Sequence, residues 1–195
     1  MSKIDELIAQ YCPNGVEFKT LGEIGTFVRG NGLQKKDFTE EGVGCIHYGQ
    51  IYTHYRTYAT TTKSFVCPEL AKKLRKAEYG NLIIATTSEN DEDVCKAVAW
   101  LGNAPICISG DSYVYRHNEN PKYMSYLFQT HEFAVQKKKV ISGTKVKRVT
   151  DRGMSQFRFP IPPLPVQEEI VRILDKFTEL EAELEAELEA RRAQY

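Results

Sequence analysis

One apolar stripe at helical spacing stands out near the C-terminal end of the sequence. Apolar residues recur there at steps of three or four positions: Ile170, Ile173, Phe177, Leu180, Leu184 and Leu188. Such steps follow one face of an α-helix, and the tetrapeptide Glu-Leu-Glu-Ala, which occurs three times from Glu179, consists of helix formers. The pattern predicts one long coiled-coil-type helix from about residue 165 to the end. Such a stripe needs a covering surface, which is either a partner helix or the helix's own domain.

The preceding 160 residues carry short apolar runs separated by turn residues. The run at 4–8 predicts a short helix that ends at Cys12-Pro13-Asn14-Gly15. The runs typical of buried strands lie at 45–48, 82–85, 97–101, 105–109 and 112–115. Residues 124–133 predict a helix whose inward side chains are Met124, Leu127, Phe128 and Phe133. The sequence therefore predicts an α+β fold, a mixed α/β body followed by one long helix.

A proline-rich segment separates these two parts. Residues 159–165 hold four of the eight prolines, and prolines at this density favour an extended chain. Pro165 suits the first position of a helix, where its missing N–H costs nothing. We therefore expect a domain at residues 1–160 and a linker with its helix at residues 161–195.

Length and composition exclude several classes of protein. A chain of 195 residues with 42% hydrophobic and 27% charged residues can bury a core without disulfides or metals. The five cysteines are an odd number without zinc-type spacing, which favours reduced thiols. No run approaches the roughly 18 apolar residues of a membrane span, and the first residues do not resemble a signal peptide. We expect a cytoplasmic protein with no membrane partner.

The net charge of zero hides two oppositely charged parts. Residues 1–164 carry 22 Lys and Arg against 17 Asp and Glu, whereas residues 165–195 carry four against nine. A basic body joined to an acidic helix indicates two surfaces with different partners. The acidic helix is unsuited to nucleic acid and is interpreted as a spacer or assembly element.

Motifs that would indicate catalysis are missing from the sequence. It has no Walker A loop, no G-x-S-x-G elbow and no third glycine after its G-x-G pairs. Glu17-Phe18-Lys19 matches only the last part of a metal-dependent nuclease motif. Cys45 with His47 could be metal ligands, but an ordinary strand is the better interpretation of that pair. The acidic run 88–93 could hold a cation, but a solvated loop is the commoner meaning of such a run. We expect no catalytic residue, no metal and no cofactor on this chain.

Three basic clusters are the feature best suited to DNA. Residues 136–152 contain seven basic side chains and one acidic one, and further clusters lie at 72–76 and at 29–36. Between them, residues 48–58 are rich in side chains that hydrogen-bond base edges or phosphates. Each cluster alone is usually a solvated surface, but three on one basic body favour nucleic-acid binding.

Two segments together resemble a known family. Gly143-Thr144-Lys145-Val146-Lys147-Arg148 is followed by Phe157-Arg158-Phe159 and by the run Pro162-Pro163-Leu164-Pro165-Val166-Gln167-Glu168-Glu169-Ile170-Val171-Arg172-Ile173-Leu174. With residues 5–8, 12–17 and 21–24, this combination resembles the specificity subunit of type I restriction-modification enzymes along the whole chain.

The resemblance implies a non-catalytic role in a larger complex. A target recognition domain, here residues 1–160, would read one half of a bipartite sequence in double-stranded DNA. The helix would act as spacer and dock the modification subunits, which bind S-adenosylmethionine and methylate adenine, and a restriction subunit would complete the complex. Specificity subunits usually have two recognition domains and two spacer helices, whereas this chain has one of each. It is then either a natural half-subunit that homodimerises or a truncated chain.

The resemblance also directs the choice of DNA-binding residues. The candidates for base readout are Arg29, Asn31, Gln34, Tyr48, Gln50, His54, Thr87 and Ser88. The candidates for phosphate contacts are Lys35, Lys36, Lys145, Lys147 and Arg148. The apolar stripe from Ile170 to Leu188 is the predicted homodimer interface. The alternative function is a coiled-coil adaptor whose basic body binds protein without reading DNA sequence, and an enzyme is a third interpretation.

Overall fold

The computed structural model describes residues 2–192, which form two compact units. One unit is residues 18–160, and the other combines residues 1–17 with residues 161–195. In chain order the helices and strands are α1 (Lys3–Tyr11), β1 (Phe18–Thr20), α2 (Leu21–Ile24), β2 (Gly25–Arg29), β3 (Val43–Ile46), α3 (Tyr48–Thr53), β4 (Tyr58–Ala59), β5 (Ser64–Val66), α4 (Pro68–Ala71), β6 (Lys76–Ala77), β7 (Leu82–Ala85), β8 (Thr87–Ser88), β9 (Ala97–Trp100), β10 (Ile106–Ile108), β11 (Ser112–His117), α5 (Pro121–Leu127), α6 (His131–Lys138), β12 (Lys147–Arg148), α7 (Asp151–Met154), β13 (Arg158–Pro160) and α8 (Leu164–Arg192).

The unit at residues 18–160 is built on two main sheets. A five-stranded sheet has the order β2-β11-β7-β9-β4, and a four-stranded sheet has the order β5-β3-β10-β6. Two short pairs, β1 with β13 and β8 with β12, complete the strands. All neighbours in the larger sheet are antiparallel except β4 and β9, and β3 and β10 are parallel in the smaller one.

The two main sheets share one apolar core. Ile46 and Ile108 of the smaller sheet pack in the same cluster as Ile83, Val98 and Val114 of the larger one. The runs Leu82–Ala85 and Ala97–Trp100 are buried at every position. Such continuous burial explains why the sequence shows apolar blocks there, without the alternation of a sheet that has one wet face.

The unit that contains both chain ends is a helix pair. α1 packs on α8, and the Lys3 ammonium lies 3.1 Å from the Glu169 carboxylate. Glu169, with only 3% of its side chain exposed, also pairs with Arg172. The hydrogen bond from Arg172, with the one from Lys3, lowers the pKa of Glu169 to about 2. The start of α8 is therefore covered by this chain itself.

The structure confirms the predicted fold class and refines the local predictions. The long C-terminal helix begins at Leu164, one residue before the predicted start, and residues 193–195 lie outside the described residues. The predicted helix at 124–133 is wrong as one element, because it consists of the end of α5 and the start of α6. The strand predicted at 45–48 ends at Ile46, because His47 caps the helix α3.

Candidate nucleic-acid interface

A tight turn at residues 109–112 joins the two main sheets and organises the polar residues around it. It follows β10 of one sheet and leads into β11 of the other. The backbone N–H of Tyr48 donates to Ser109 Oγ at 2.8 Å, and Arg29 Nε donates to a carbonyl oxygen of the turn at 2.9 Å. Thr86 Oγ1 donates to another carbonyl of the turn at 3.0 Å. Three segments that are distant in sequence therefore meet at this turn.

The loop after β2 brings two basic clusters together. The Asn31 amide donates from Nδ2 to the Lys73 carbonyl at 3.0 Å and accepts the Arg75 N–H on Oδ1 at 2.7 Å. Arg75 in turn donates to the Arg29 carbonyl at 2.8 Å. The cluster at 72–76 is thus fixed beside the cluster at 29–36. Asn31 is a predicted base-reading residue, but both the oxygen and the nitrogen of its side-chain amide already form hydrogen bonds within the domain.

An open cavity of about 360 Å³ lies between this loop and the turn. Its lining residues are Arg29, Gly30, Gly32, Leu33, Gln34, Gly110 and Asp111. The Arg29 guanidinium lies 3.8 Å from the Asp111 carboxylate and remains 60% exposed. Gln34, Lys35 and Lys36 are exposed at a short 3-10 helix, Lys35–Asp37. The cavity offers donors of the type that contact base edges and phosphates.

Helix α3 presents an aromatic surface next to the turn. The His47 ring caps the helix and lies 4.4 Å from the Tyr48 ring, centroid to centroid. Burial lowers the pKa of His47, and the Lys35 cation lowers it further. The Gln50 amide accepts from the His47 N–H at 2.9 Å and donates to Ser64 Oγ at 2.8 Å. Gln50 is thus engaged inside the domain, whereas His54, at the other end of α3, is exposed.

The Gly-Thr-basic motif forms a turn that leads into β12, and β12 pairs with the short strand β8. Ser142 and Arg148 exchange backbone hydrogen bonds of 3.0 and 2.9 Å, which closes the turn. Gly143 has φ of +90°, and a Cβ there would collide with the Val146 carbonyl. β12 then pairs with β8 in antiparallel register, so that Lys147 lies opposite Ser88. A non-glycine residue at 143 would therefore disturb the lysine-bearing strand.

This pairing places predicted base and phosphate residues side by side. Thr87 lies opposite Arg148, but Thr87 and Ser88 are buried, with 8% and 3% of their surface exposed. Arg148 and Lys145 are exposed. Lys147 is half-buried and lies 3.3 Å from the Asp91 carboxylate.

Lys137, counted with the basic clusters in the sequence, belongs to the interior. Lys137 is only 7% exposed, and its Nζ donates to the carbonyls of Glu92 and Val94 at 2.9 and 3.0 Å. Burial lowers the pKa of this ammonium. The basic cluster at 136–152 therefore offers fewer cations to a ligand than the sequence indicated.

The structure thus brings many of the predicted DNA-binding residues close to one turn. Arg29 and Tyr48 bond to the turn, Gln34 lines the cavity beside it, and the Lys35 charge acts on His47 next to Tyr48. Thr86 also bonds to the turn and leads directly into β8, Thr87 and Ser88, which β12 pairs with Lys147 and Arg148. The turn itself was missed as a functional element. Its only sequence signal is Gly110-Asp111, a dipeptide typical of any turn.

The predicted dimer stripe lies in the other unit and divides along its length. Ile170 and Ile173 are half-buried, whereas Phe177, Leu180, Leu184 and Leu188 are 65%, 54%, 65% and 49% exposed. A continuous apolar surface thus remains uncovered along the distal part of α8.

Two further observations concern cofactors and membranes. Within residues 2–192, no three His, Cys, Asp or Glu side chains lie close enough together to hold a metal ion. Over the same residues, none of the helices is both long and apolar enough to cross a bilayer.

Comparison with known proteins gives related results from sequence and from structure. The specificity subunit of the Escherichia coli type I restriction enzyme EcoR124I/EcoR124II is 25% identical over 169 residues, which cover 85% of this chain and 41% of that protein. Among solved structures, the HsdS subunit of Thermoanaerobacter tengcongensis matches 94% of this chain with a TM-score of 0.60 at 18% identity. The type I restriction-modification S subunit of M. genitalium matches 89% with a TM-score of 0.57 at 11% identity.

A third solved chain comes from work on complex assembly and conformational transition of the type I R-M system. It matches 93% of this chain with a TM-score of 0.61 at 17% identity. These structural likenesses establish the fold, and the chain spans less than half the length of each of these relatives. The model of the type I restriction modification DNA specificity domain matches residues 13–190. The chain therefore belongs to the type I restriction modification DNA specificity domain family.

Proposed function

We propose that this chain reads one half of a bipartite DNA target for a type I restriction-modification complex. The observation that carries the proposal is that Arg29, Tyr48 and Thr86 all bond to one turn, and that Thr86 leads directly into the strand pair β8–β12. Convergence matters because each basic cluster alone would be an ordinary solvated surface, whereas a shared site can follow one stretch of duplex.

Within this site we assign base readout and phosphate contacts to different groups. Arg29 and Gln34 line the cavity beside the turn, and exposed arginine is the commonest side chain for contacting guanine in the major groove. Tyr48 and His54 are further candidates on α3. Lys35, Lys36, Lys145, Lys147 and Arg148 would hold phosphates, which positions the domain without reading sequence.

Asn31, Gln50, Thr87 and Ser88 also remain candidates for readout, but a DNA contact would compete with their internal roles. The Asn31 and Gln50 amides bridge backbone segments or helix and strand. Thr87 and Ser88 form strand β8 of the pair and are almost fully buried. We therefore rank them behind the exposed residues.

The distal half of α8 would bind a second copy of this chain. Its exposed apolar stripe is unsuited to water, and the surrounding acidic side chains are unsuited to DNA phosphates. Antiparallel pairing by two-fold symmetry would place one recognition domain at each end, so the target would be an inverted repeat with a gap. Because the chain spans 41% of the E. coli relative, two copies together approach the length of one such subunit.

The remaining partners follow from the family. The modification subunits would dock on the helical unit and contribute S-adenosylmethionine and the methyl transfer to adenine. The restriction subunit would contribute DNA cleavage. This chain would supply recognition alone, with no cofactor and no catalytic residue of its own.

The test is selection of bound DNA from a randomised duplex pool near physiological salt, followed by sequencing. A gapped inverted repeat is expected. A single half-site would retain readout but contradict the symmetric dimer. The selection is then repeated with the modification subunit present. Absence of enrichment in both selections would contradict sequence readout and favour a protein-binding adaptor.

A further inference from the structure

The acidic loop beside Lys147 is fixed in place from within the domain. The buried Lys137 ammonium holds the loop carbonyls of Glu92 and Val94. Asn90 and Asp93 exchange two hydrogen bonds of 2.9 and 2.7 Å, and the Cys95 N–H donates to the Ala85 carbonyl of β7 at 2.7 Å. Such anchoring restricts where the carboxylates of this loop can lie.

One carboxylate of this anchored loop engages a proposed phosphate-binding lysine. Asp91 Oδ1 lies 3.3 Å from Lys147 Nζ, and the Asp91 side chain is 52% exposed. A carboxylate oxygen at this distance offers the ammonium an acceptor of the same charge sign as a phosphate oxygen. Asp91 therefore competes with a DNA phosphate for the positive charge and the N–H donors of Lys147.

We propose that Asp91 is an internal competitor for the phosphate site at Lys147, held in place by Lys137, and that it weakens the hold of the domain on all duplex DNA. This inference rests on the proposed DNA-binding function. The competition is electrostatic and independent of base sequence, because Asp91 acts on a phosphate contact. The competition shortens the time that the protein stays bound to DNA when it contacts only the phosphate backbone of the duplex.

The test compares Asp91→Asn with the matched variant Glu89→Gln. Both remove one negative charge from the same loop, but the carboxylate that lies 3.3 Å from Lys147 Nζ belongs to Asp91. Binding to the selected duplex and to an unrelated duplex of equal length is measured by fluorescence anisotropy, with the modification subunit present if the selection required it. Asp91→Asn is expected to bind both duplexes roughly two- to five-fold more tightly than Glu89→Gln, the range expected from a partly exposed ion pair.

A double-mutant cycle separates competition from a general charge effect. In a Lys147→Ala background, Asp91→Asn should bind no more tightly than Glu89→Gln, because the lysine for which Asp91 competes is gone. Lys137→Met should reproduce part of the gain if the anchor is what holds Asp91 in place. Circular dichroism and thermal unfolding identify variants that have lost the fold. If Lys137→Met does not fold, the proposal is decided by the comparison of Asp91→Asn with Glu89→Gln.

The outcomes distinguish this inference from the function on which it rests. Equal binding by Asp91→Asn and Glu89→Gln, with sequence selection intact, would overturn the competitor role alone. An undiminished gain in the Lys147→Ala background would do the same. Failure of the wild-type protein to bind any duplex, alone and with the modification subunit, would overturn both.

Discussion

The exposed stripe on α8 gives the sharpest prediction about assembly. We expect Leu180→Glu combined with Leu184→Glu to convert a dimer into monomers. These leucines are 54% and 65% exposed, and full burial of a leucine side chain contributes roughly 1.5–3 kcal/mol. Covering the exposed part would then contribute about 0.8–2 kcal/mol per leucine. With two leucines in each of two copies, the loss is about 3.6–7 kcal/mol, which weakens dimerisation by roughly three to five orders of magnitude.

Sedimentation equilibrium or light scattering over a concentration series measures this change directly. The matched control is Ala182→Glu combined with Ala186→Glu, which adds the same two charges to the same helix. Ala182 is two residues from each of the two leucines, a rotation of about 200° around the helix. The control variant should therefore remain dimeric. An unchanged native mass for the leucine variant, or monomers in both variants, would refute pairing through this stripe.

Three further predictions concern the unit at residues 18–160. Lys147→Ala should weaken binding to selected and unselected duplexes alike and reduce the slope of log K against log salt by about 0.9; a changed preferred sequence would contradict a phosphate role. Gln50→Ala should lower the free energy of unfolding in urea by about 1–3 kcal/mol, because it removes two internal hydrogen bonds; unchanged stability with one relaxed base position would assign it to readout. Burial lowers the pKa of His117 from 6.5 to about 4, so the folded state should lose about 3 kcal/mol of stability as pH falls from 6.5 to 4; His117→Phe should flatten this dependence, whereas the same change at exposed His131 should not.

The long helix could be predicted from sequence because its determinants are local. The three- and four-residue steps of the stripe and the proline-rich segment before Leu164 lie within one stretch of chain. The break between α5 and α6 was missed because the two helices each contribute inward-facing apolar residues to one short stretch of sequence. Phe128 caps the first helix and Phe133 lies in the second, yet both pack in the interior with their rings 4.8 Å apart. The apolar pattern reports burial there and does not report backbone continuity.

The arrangement of the candidate site depends on contacts that no local pattern encodes. Thr87 and Arg148 are neighbours only because β8 and β12 pair across about 60 residues of intervening chain. The turn at 109–112 gains its position because the strand before it belongs to one main sheet and the strand after it to the other. Side chains of the same type can also be either buried or exposed, and the sequence alone does not tell which lysines are available to a ligand. Lys137 is buried as an anchor, whereas Lys145 is exposed.

The opposite charges of the two parts of the chain restrict what each can bind. Nine acidic against four basic residues at 165–195 repel a phosphate backbone, so the apolar stripe there is suited to a protein surface. The clusters around the turn have the opposite charge and remain suited to phosphates. Pairing of two acidic helices also brings like charges together, and that repulsion weakens with added salt, whereas phosphate contacts weaken as salt rises. Salt should therefore strengthen dimerisation and weaken DNA binding in the same protein, and a dimer that dissociates at high salt would contradict an interface held by the apolar stripe.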